Sequence, residues 1–334
     1  MINLGLIGYG YWGPNVARNF SICSGAKLAA ICDANEARLK IAKAAYPSAD
    51  IYSDPYDLIR ANETRAVAIV TPVISHYELA KAALTCGKHV FVEKPFTATA
   101  RQAEELIDLA RKNGLIIMVD HTFLFTGAVN KIREVIDSGE LGDLFFYDSV
   151  RVNLGLFQHD INVVWDLAPH DFSIMNFLID KNPVAVSALG TEHFNQGRED
   201  VAYIVVHFDN GFIAHFHCNW LSPVKIRRTL ISGSKKMLVW DDLVADEKLK
   251  IYDRGVDFKS INGLHKLLVS YRSGDMYAPK ISSTEALQLE AGYFLECVEK
   301  GIDPFNNGEA GLKVVKMLEA TDQSLKKGGM KIPF

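Results

Sequence analysis

The glycine pattern at residues 8–13 constrains the fold more than any other feature of this sequence. The run Gly8-Tyr9-Gly10-Tyr11-Trp12-Gly13 has the spacing G-x-G-x-x-G and directly follows the apolar run Asn3–Ile7. In a strand–turn–helix unit, the first glycine permits a tight turn, the second lets the backbone approach a pyrophosphate, and the third lets the helix pack on the strand. The helix N-terminus then offers N–H groups to the phosphates. The pattern therefore predicts a dinucleotide site.

An acidic residue stands where a bound dinucleotide presents its adenosine ribose. Asp33 follows Gly13 by twenty residues and comes directly after the apolar run Lys27–Cys32. A carboxylate there binds the ribose hydroxyls and repels the 2′-phosphate of NADP. Arg38 can reach back toward a phosphate, so the pattern disfavours NADP without excluding it. NAD is the expected cofactor.

Residues 1–122 alternate short apolar runs with amphipathic stretches, which is typical of a parallel sheet with helical crossovers. The predicted strands are Asn3–Ile7, Lys27–Cys32, Ala66–Val70, His89–Val92 and Leu115–Val119. The predicted helices are Gly13–Ser21, Asn35–Ala45, His76–Thr85 and Ala100–Asn113, the last with Thr99 as N-cap and Gly114 after its end. We expect residues 1–122 to form a Rossmann domain, a doubly wound parallel sheet that binds NAD.

Residues 123–334 change rhythm, because extended runs now follow one another with short turns between them. The predicted strands are Leu144–Val152, Val184–Gly190, Val201–Phe208, Phe212–Trp220, Lys225–Ser232 and Met237–Trp240. The predicted helices are Gly127–Ser138, one near Pro169–Ile179, Glu285–Lys300 and Glu309–Lys326. Asp209-Asn210-Gly211 is a strong hairpin signal. We therefore expect an α/β domain with a large open, mainly antiparallel sheet, and an α/β fold class for the whole chain.

Composition excludes several classes of protein. Hydrophobic residues make up 49% of the chain and charged residues 23%, with a formal net charge of −4, so neither disorder nor a nucleic-acid partner is indicated. No apolar run reaches the roughly 18–20 residues of a membrane span. The five cysteines form no C-x-x-C pair, and we expect all of them to be reduced. The sequence begins with no secretory signal, so a cytoplasmic location is expected.

Polar residues that follow the predicted parallel strands are candidates for the cofactor site, since open parallel sheets bind ligands at the carboxyl ends of their strands. Thr71, Pro72, Glu93, Lys94 and His121 take these positions. Lys94 can donate a hydrogen bond to a substrate hydroxyl or act as a base, and the following proline pins the backbone, in a cis peptide by one reading. His76 has two readings of similar weight, a ligand contact or an ordinary hydrogen bond at a helix start.

Asp166 and His170 form the second candidate group. With Pro169 in the first turn of a helix, the two flank the helix start, and they share one face if helical geometry extends across both. A carboxylate that orients an imidazole suits a general base for alcohol oxidation. Alternatively, Asp166 is a helix cap and His170 a core residue. A metal site built from His159, Asp160 and His170 matches no familiar ligand spacing, so no metal is expected.

These motifs, in this order and along the whole chain, resemble the glucose–fructose oxidoreductase/inositol dehydrogenase (Gfo/Idh/MocA) family. The motifs are G-Y-G-Y-W-G with Asp33, T-P-V-I-S-H, V-E-K-P and D-L-A-P-H. The resemblance implies NAD(P)-dependent oxidation or reduction of a sugar or cyclitol hydroxyl, and a homodimer or homotetramer formed through the C-terminal sheet. It also implies that Lys94 contacts cofactor and substrate, that His170 is the acid/base, and that Asp166 is its partner.

The chain departs from the family pattern D-x-G-x-H-x-x-D at two positions. Ala168 replaces the glycine, Ser173 replaces the last acid, and Asp171 lies next to His170 instead. This departure leaves the partner of the histidine open between Asp166 and Asp171.

A narrower likeness points to a nucleotide sugar. The stretches 160–171, 220–228 and 274–280 are similar to family members that oxidise C3 of UDP-N-acetylated hexosamines or their uronates. Lys225, Arg227 and Arg228 can pair with a diphosphate or form the solvated face of a strand. We expect the residues that bind substrate to be Lys94, Asn153, Trp165, Asp166, His170, Lys225 and Arg227.

Several alternatives stay open at this point. Lys94 and His170 can exchange roles as the base. The substrate can be an inositol or a free sugar rather than a UDP-sugar. Two other functional classes use similar residues: a sugar lyase or glycosidase that employs tightly held NAD as a transient redox group, and a non-catalytic sugar sensor. The joint presence of Lys94, Asp166 and His170 favours an enzyme, because binding alone needs no acid/base set.

Overall fold

The structure is a computed structural model that describes residues 1–155, 161–194, 197–260 and 267–334. The chain forms two compact units, each built from two segments of the sequence. The first unit comprises Met1–Phe125 and Thr284–Glu319, and the second comprises Thr126–Ser283 and Ala320–Phe334.

The first unit contains a parallel sheet with helices between its strands. Its strands are β1 Ile2–Ile7, β2 Ala26–Cys32, β3 Asp50–Tyr52, β4 Ala66–Ile69, β5 His89–Glu93 and β6 Ile117–Asp120. Its first helices are α1 Gly13–Ile22, α2 Glu36–Ala45, α3 Pro55–Arg60, α4 His76–Thr85 and α5 Ala100–Asn113. Within the described residues, these strands form one six-stranded sheet in the order β3-β2-β1-β4-β5-β6. This order confirms the predicted Rossmann sheet.

The second unit contains the larger sheet. Its helices before residue 283 are α6 Gly127–Asp137 and α7 Val163–Leu178. Its strands are β7 Leu144–Leu154, β8 Pro183–Thr191, β9 Val201–Phe208, β10 Ile213–Asn219, β11 Leu221–Gly233, β12 Met237–Asp241, β13 Leu249–Ser260, β14 Leu267–Tyr277 and, near the C-terminus, β15 Ile332–Pro333. In the described segments, nine strands run in the order β14-β13-β12-β11-β7-β10-β9-β8-β15. The pairing is antiparallel except between β7 and β10, as the predicted mainly antiparallel sheet requires.

Local sequence signals explain several element boundaries. The Thr99 hydroxyl accepts a hydrogen bond from the Gln102 backbone N–H at 3.3 Å and caps α5, which ends at Gly114 with φ of 64°. A positive φ also occurs at the β9–β10 hairpin, where Gly211 has φ of 82°. Both the caps of α5 and the hairpin follow the prediction, because each depends on residues only a few positions apart.

The last two helices are α8 Ala286–Lys300 and α9 Gly308–Lys326. The predicted organisation has a single division after residue 122, with all of 123–334 in the second domain. The structure differs, since the first unit extends to Phe125 and also includes Thr284–Glu319. The reason is the apolar face of α8, whose buried Leu287, Ala291 and Phe294 belong to the core of the first unit. Periodicity identifies the helix but not the sheet that it covers.

Three phenylalanines join α8 to the first sheet. The Phe20 and Phe91 rings lie 5.4 Å apart, and Phe294 lies 6.0 Å from Phe20 and 5.6 Å from Phe91, all edge to face. All three side chains are fully buried. Edge-to-face pairs add to the stabilisation that burial of each ring already provides.

We expect Phe294→Ala to lower the free energy of unfolding by about 3–5 kcal/mol, because it leaves a cavity among buried rings. Urea unfolding followed by circular dichroism measures the loss. Leu289→Ala is the matched control on the same helix, since Leu289 is exposed, and it should cost less than about 0.5 kcal/mol. Equal losses in the two variants would contradict the packing of α8 into this core.

Candidate functional site

The turn between β1 and α1 is closed by a glycine that tolerates no side chain. Gly8 has φ of 99°, and a Cβ atom there would lie 2.2 Å from the Val70 carbonyl oxygen. At Gly13 a Cβ atom would lie 2.3 Å from the Gly8 carbonyl oxygen. Gly10 differs, because its nearest neighbour would be the Arg38 guanidinium at 3.5 Å. Gly8 and Gly13 therefore shape the turn, whereas Gly10 leaves backbone open to a ligand.

The N-terminus of α1 is suited to bind an anion. Trp12 is the N-cap residue, Pro14 follows in the first turn, and no side chain among the described residues caps this helix end. Tyr11 is exposed. Backbone N–H groups and the positive end of the helix dipole favour phosphate at such a position. The turn and the helix end together fit the pyrophosphate of NAD.

Asp33 is held rigidly at the end of β2. It is buried, its Oδ2 accepts a hydrogen bond from the Tyr9 backbone N–H at 2.7 Å, and its Oδ1 accepts one from the Asn35 N–H at 2.8 Å. Arg38 Nη1 lies 3.6 Å from Asp33 Oδ2. The carboxylate is thus oriented by the glycine loop itself, and the cation that NADP would need already pairs with it.

The ends of β4 and β5 are joined by His76. Its Nδ1 lies 2.9 Å from the Pro95 carbonyl oxygen and its Nε2 lies 2.7 Å from the Thr71 carbonyl oxygen. The imidazole is fully buried, and this burial lowers its pKa. Both ring nitrogens face backbone carbonyl oxygens, and the nitrogen that carries the proton donates to one of them, which matches the ordinary hydrogen bond of the two readings. His76 thus lies beside the half-buried Thr71 and the exposed Pro72, and a direct contact between His76 and the cofactor stays a prediction.

The E-K-P sequence lies at the end of β5. The Lys94–Pro95 peptide is cis, which matches one reading of the sequence. Glu93 is the last residue of β5 and is in register with Asp120 at the end of β6. Lys94 follows at the same edge of the sheet, where its charge adds to burial in lowering the pKa of His76 and His121. Glu93 and Lys94, the charged residues predicted at this strand end for the cofactor site, thus lie at the carboxyl end of β5.

Asp120 and His121 continue this edge. Asp120 is buried, and its Oδ2 accepts a hydrogen bond from Trp12 Nε1 at 3.1 Å. The Thr122 hydroxyl also donates to Asp120. Burial lowers the pKa of His121 to about 4, and neither ring nitrogen has a hydrogen-bond partner within the part of the chain described. Asp120 is not among the residues predicted from the sequence, although its place at a strand end is the signal that identifies Glu93.

The helix α7 corrects the predicted helix near Pro169–Ile179. It begins at Val163, where the Asn162 side chain accepts a hydrogen bond from the Trp165 N–H at 3.1 Å, so Pro169 lies inside the helix. The predicted start is too late because proline favours the first turn of a helix over its interior. Asp166 and His170 are both helical and four residues apart, so they share one face of α7.

Asp166 is anchored by a tryptophan that directly follows β10. Trp220 is fully buried, and its Nε1 donates to Asp166 Oδ2 at 3.0 Å. Trp165 uses its indole N–H in the same manner, donating to Asp322 Oδ2 at 2.7 Å. The hydrogen-bonding group of Trp165, expected to bind substrate, is therefore engaged within the second unit. Trp220 and Asp322 are not predicted in these roles, because no local sequence pattern links either residue to α7.

Asp171, the alternative partner of His170, belongs to a different network. Arg151 Nε lies 2.7 Å from Asp171 Oδ2 and Nη2 lies 3.0 Å from Oδ1, with both side chains buried. The Ser149 hydroxyl adds a hydrogen bond at 3.2 Å. Adjacent residues on a helix point in different directions. The geometry of the second unit thus favours Asp166 over Asp171 as the residue that shares a face with His170.

The basic stretch of β11 is split between the two faces of its sheet. Arg227 Nη1 lies 3.4 Å from Asp242 Oδ2, and burial lowers the pKa of Arg227. Arg228 instead pairs with Asp241 at 2.7 Å. Alternate strand residues face opposite sides, so the three cations do not form one cluster. Lys225 is exposed, and Asn153 is half-buried near the end of β7.

The remaining expectations concern ions, membranes and thiols. His159 and Asp160 lie outside the described residues. Among the residues that are described, no group of three or more histidine, cysteine, aspartate or glutamate side chains is arranged to hold a metal ion. In the same part of the chain, no helix combines the length and the apolarity that crossing a membrane requires. All five cysteines are described and carry free thiols.

Comparison with known families extends this picture. Residues 2–121 match the family described as "Oxidoreductase family, NAD-binding Rossmann fold", and residues 129–239 match the "GFO/IDH/MocA C-terminal domain". The chain is 27% identical to a UDP-N-acetylglucosamine 3-dehydrogenase from Acidithiobacillus ferrooxidans, over 93% of each chain. It is 25% identical to a D-apiose dehydrogenase from Paraburkholderia graminis, over 97% of this chain and 87% of the relative.

A solved structure shows the same fold. The structure of the UDP-N-acetylglucosamine 3-dehydrogenase from Acidithiobacillus ferrooxidans superposes with a TM-score of 0.81, at 24% identity, over 98% of each chain. At this level of identity the superposition establishes the architecture alone.

We expect Asp33→Ser to raise the Kd for NADH about tenfold or more, because the variant loses charged hydrogen bonds to ribose. The Kd for NADPH should fall at the same time, since Arg38 is released from Asp33. Fluorescence titration with the two reduced cofactors measures both constants. Glu36→Ser is the control, since Glu36 is an exposed acid on the next helix, and it should change neither. An unchanged NADPH/NADH ratio in Asp33→Ser would exclude Asp33 as the selecting group.

Proposed function

Because the chain belongs to the GFO/IDH/MocA family of NAD-binding oxidoreductases, we propose that it oxidises or reduces a secondary hydroxyl of a UDP-N-acetylated sugar at C3. The broader class is a sugar or polyol dehydrogenase that uses NAD. Inositol and free sugars are the competing substrates within this class.

The observation that carries the proposal is the arrangement of Asp166 and His170 on α7. Both are half-buried on one face of the helix, and Trp220 fixes the Asp166 carboxylate by a hydrogen bond of 3.0 Å. Asp166 lies in the first turn, where the helix dipole stabilises its negative charge. A fixed carboxylate beside a histidine is suited to hold the imidazole in one tautomer and orientation.

We assign three roles in the reaction. His170 removes the proton of the reacting hydroxyl, and Asp166 orients His170 and stabilises the imidazolium that forms. Lys94 donates a hydrogen bond to the same oxygen as negative charge develops on it. NAD, when bound, supplies the hydride acceptor. In the reverse direction His170 returns the proton to the oxygen.

The choice of a UDP-sugar is supported by the relative named for UDP-N-acetylglucosamine, which matches nearly the whole chain. Within this proposal Arg227 is the cation assigned to the diphosphate, which would compete with the present partner of Arg227, Asp242, at 3.4 Å. Relatives named for D-apiose and myo-inositol have similar identities of 25% and 24%. These similarities keep the free-sugar and cyclitol substrates as the alternatives.

We expect NADH to appear when the protein is mixed with NAD and one UDP-N-acetylhexosamine or its uronate. A panel of UDP-sugars, free hexoses, pentoses and inositols, run with NAD and NADP in parallel, measures this by absorbance. Arg227→Met should raise KM for a UDP-sugar about tenfold or more but leave kcat largely intact, because it removes one charged contact. Arg228→Met is the matched control on the opposite face.

Other outcomes of the panel separate the alternatives. Activity only with an inositol or a free sugar would overturn the UDP-sugar assignment and keep the dehydrogenase. Sugar-bond cleavage without net NADH would indicate lyase or glycosidase chemistry with retained NAD. NAD binding with no turnover of any compound would favour a sensor.

With the substrate in hand, His170→Ala should lower kcat/KM by about 10²–10⁴-fold, because it removes the general base. The acidic limb of the pH profile should disappear in His170→Ala and persist in Lys94→Met. The opposite assignment of limbs would make Lys94 the base. If neither substitution slows hydride transfer, both residues lie outside the reacting centre.

We also propose that the protein assembles with copies of itself through the open face of the second sheet. Phe146, Leu189, Tyr203 and Ile213 share that face by register and are exposed. They form two cross-strand pairs, Phe146 with Ile213 and Leu189 with Tyr203, and exposed apolar side chains of this kind are typical of protein interfaces. Either a homodimer or a homotetramer is consistent with such a face.

We expect Tyr203→Glu to convert the assembly to monomer, because it replaces a ring that stacks on His217 by a charge that is costly to bury in an interface. Sedimentation velocity measures the mass. Tyr56→Glu is the control, since Tyr56 is exposed on α3 of the first unit. A wild-type protein that sediments as a monomer at micromolar concentration would exclude the proposal.

A further inference from the structure

Glu290 is a fully buried acid that the proposed reaction does not use. It lies on α8 between Leu287 and Phe294, on the apolar face that packs into the first unit. A carboxylate without a cation partner is costly at such a position. Full burial of this side chain therefore requires an explanation.

The neighbours of Glu290 are polar or acidic. Asn306 Nδ2 donates to Glu290 Oε1 at 3.0 Å and also to the Val119 carbonyl oxygen at 2.9 Å. Val119 directly precedes Asp120, so the Asn306 side chain places the Glu290 carboxyl group at the end of β6. Asp120, Thr122 and Glu93 are the neighbours that act on this carboxyl group. The groups that face Glu290 from β5, β6 and the following turn are thus two acids and a hydroxyl.

The donors at this site are already used. The Thr122 hydroxyl donates to Asp120, and Trp12 Nε1 donates to Asp120 at 3.1 Å. Among the described residues, Glu290 Oε2 has neither an N–H nor an O–H partner. Two carboxylates that face each other repel, but a carboxylic acid can donate to a carboxylate. A proton on Glu290 therefore satisfies both side chains.

We propose that Glu290 is a positioning residue that stays protonated and donates a hydrogen bond to the Asp120 carboxylate, and that Asp120 in turn fixes Trp12 at the start of the cofactor-binding helix. The chain of contacts runs from Asn306 through Glu290 and Asp120 to Trp12, the N-cap of α1. Burial and the charge of Asp120 raise the pKa of Glu290 well above its usual value near 4.5, in agreement with this geometry.

The consequence is that a residue late in the sequence sets the geometry of the glycine loop. Trp12 is half-buried, and its indole N–H is held by an acceptor that Glu290 orients. Loss of this acceptor geometry should weaken NAD binding. The inference rests on NAD binding and not on the sugar substrate proposed above, so its test needs no substrate.

The first experiment compares the unfolding of wild type, Glu290→Gln and Glu299→Gln as a function of pH. Wild type loses a proton on unfolding at any pH between 4.5 and the raised pKa of Glu290. Its unfolding equilibrium constant therefore rises about tenfold per pH unit relative to Glu290→Gln. Glutamine supplies a hydrogen-bond donor without a titration. The exposed Glu299 serves as the matched control, and its variant should follow wild type.

The second experiment measures the Kd for NADH by fluorescence. We expect Glu290→Leu to raise it about tenfold, because Asp120 loses a donor, and Glu290→Gln to stay within about twofold of wild type. A carboxylic-acid carbonyl band in the infrared spectrum of wild type, lost in Glu290→Gln, would identify the proton directly.

Two results would overturn the proposal. A stability difference between wild type and Glu290→Gln that does not change with pH would mean that Glu290 is ionised in the folded protein. An NADH affinity that is the same in Glu290→Leu and wild type would mean that Glu290 does not act on the cofactor site. Neither result depends on whether the protein turns over a sugar.

Discussion

The glycine at position 8, which has no Cβ atom, is the constraint on which the first unit depends. The Val70 carbonyl oxygen occupies the space that a Cβ atom of Gly8 would need, at 2.2 Å. This close approach lets β1 end directly against β4, and it sets the point where α1 begins. Trp12 at that point reaches Asp120 at the end of β6. Trp12 thereby links the glycine turn, at the centre of the sheet, to the edge strand β6.

The two units treat buried charge differently. In the second unit, Asp171 is neutralised by Arg151 through two hydrogen bonds. In the first unit, Asp120 accepts hydrogen bonds from uncharged donors, the Trp12 indole and the Thr122 hydroxyl. Removing one member of a buried ion pair leaves an uncompensated charge, so the arrangement around Asp171 suits a rigid support. Around Asp120 uncharged donors hold the carboxylate, and the hydrogen bond proposed from Glu290 adds one more of the same kind.

The features that could be predicted from the sequence are those formed by residues close together along the chain. The glycine turn, the caps of α5, the β9–β10 hairpin and the strand-end residues Asp33 and Glu93 all follow from neighbours along the chain. Contacts between distant segments were not predictable. Trp220 reaches Asp166 across 54 positions, and Phe294 packs beside Phe20 although the two are far apart in the sequence. Pro169 misleads the prediction because tertiary packing retains a helix that proline alone would end. For Glu290, the sequence indicates only part of the arrangement. An acid on the apolar face of α8 predicts a buried carboxyl group, but only the fold shows that its neighbour is Asp120.

The return of α8 to the first sheet has a consequence for synthesis on the ribosome. The strands of this sheet are complete by residue 120, but Leu287, Ala291 and Phe294 of its core come from a segment that begins at Thr284. Elongation at roughly 5–20 residues per second leaves the exposed core waiting on the order of ten seconds or more. During this interval the nascent chain presents the rings of Phe20 and Phe91 without their partner. The first unit is therefore the first to start being synthesised, but its core is complete only near the end of synthesis. We expect chaperones to bind the growing chain during this interval.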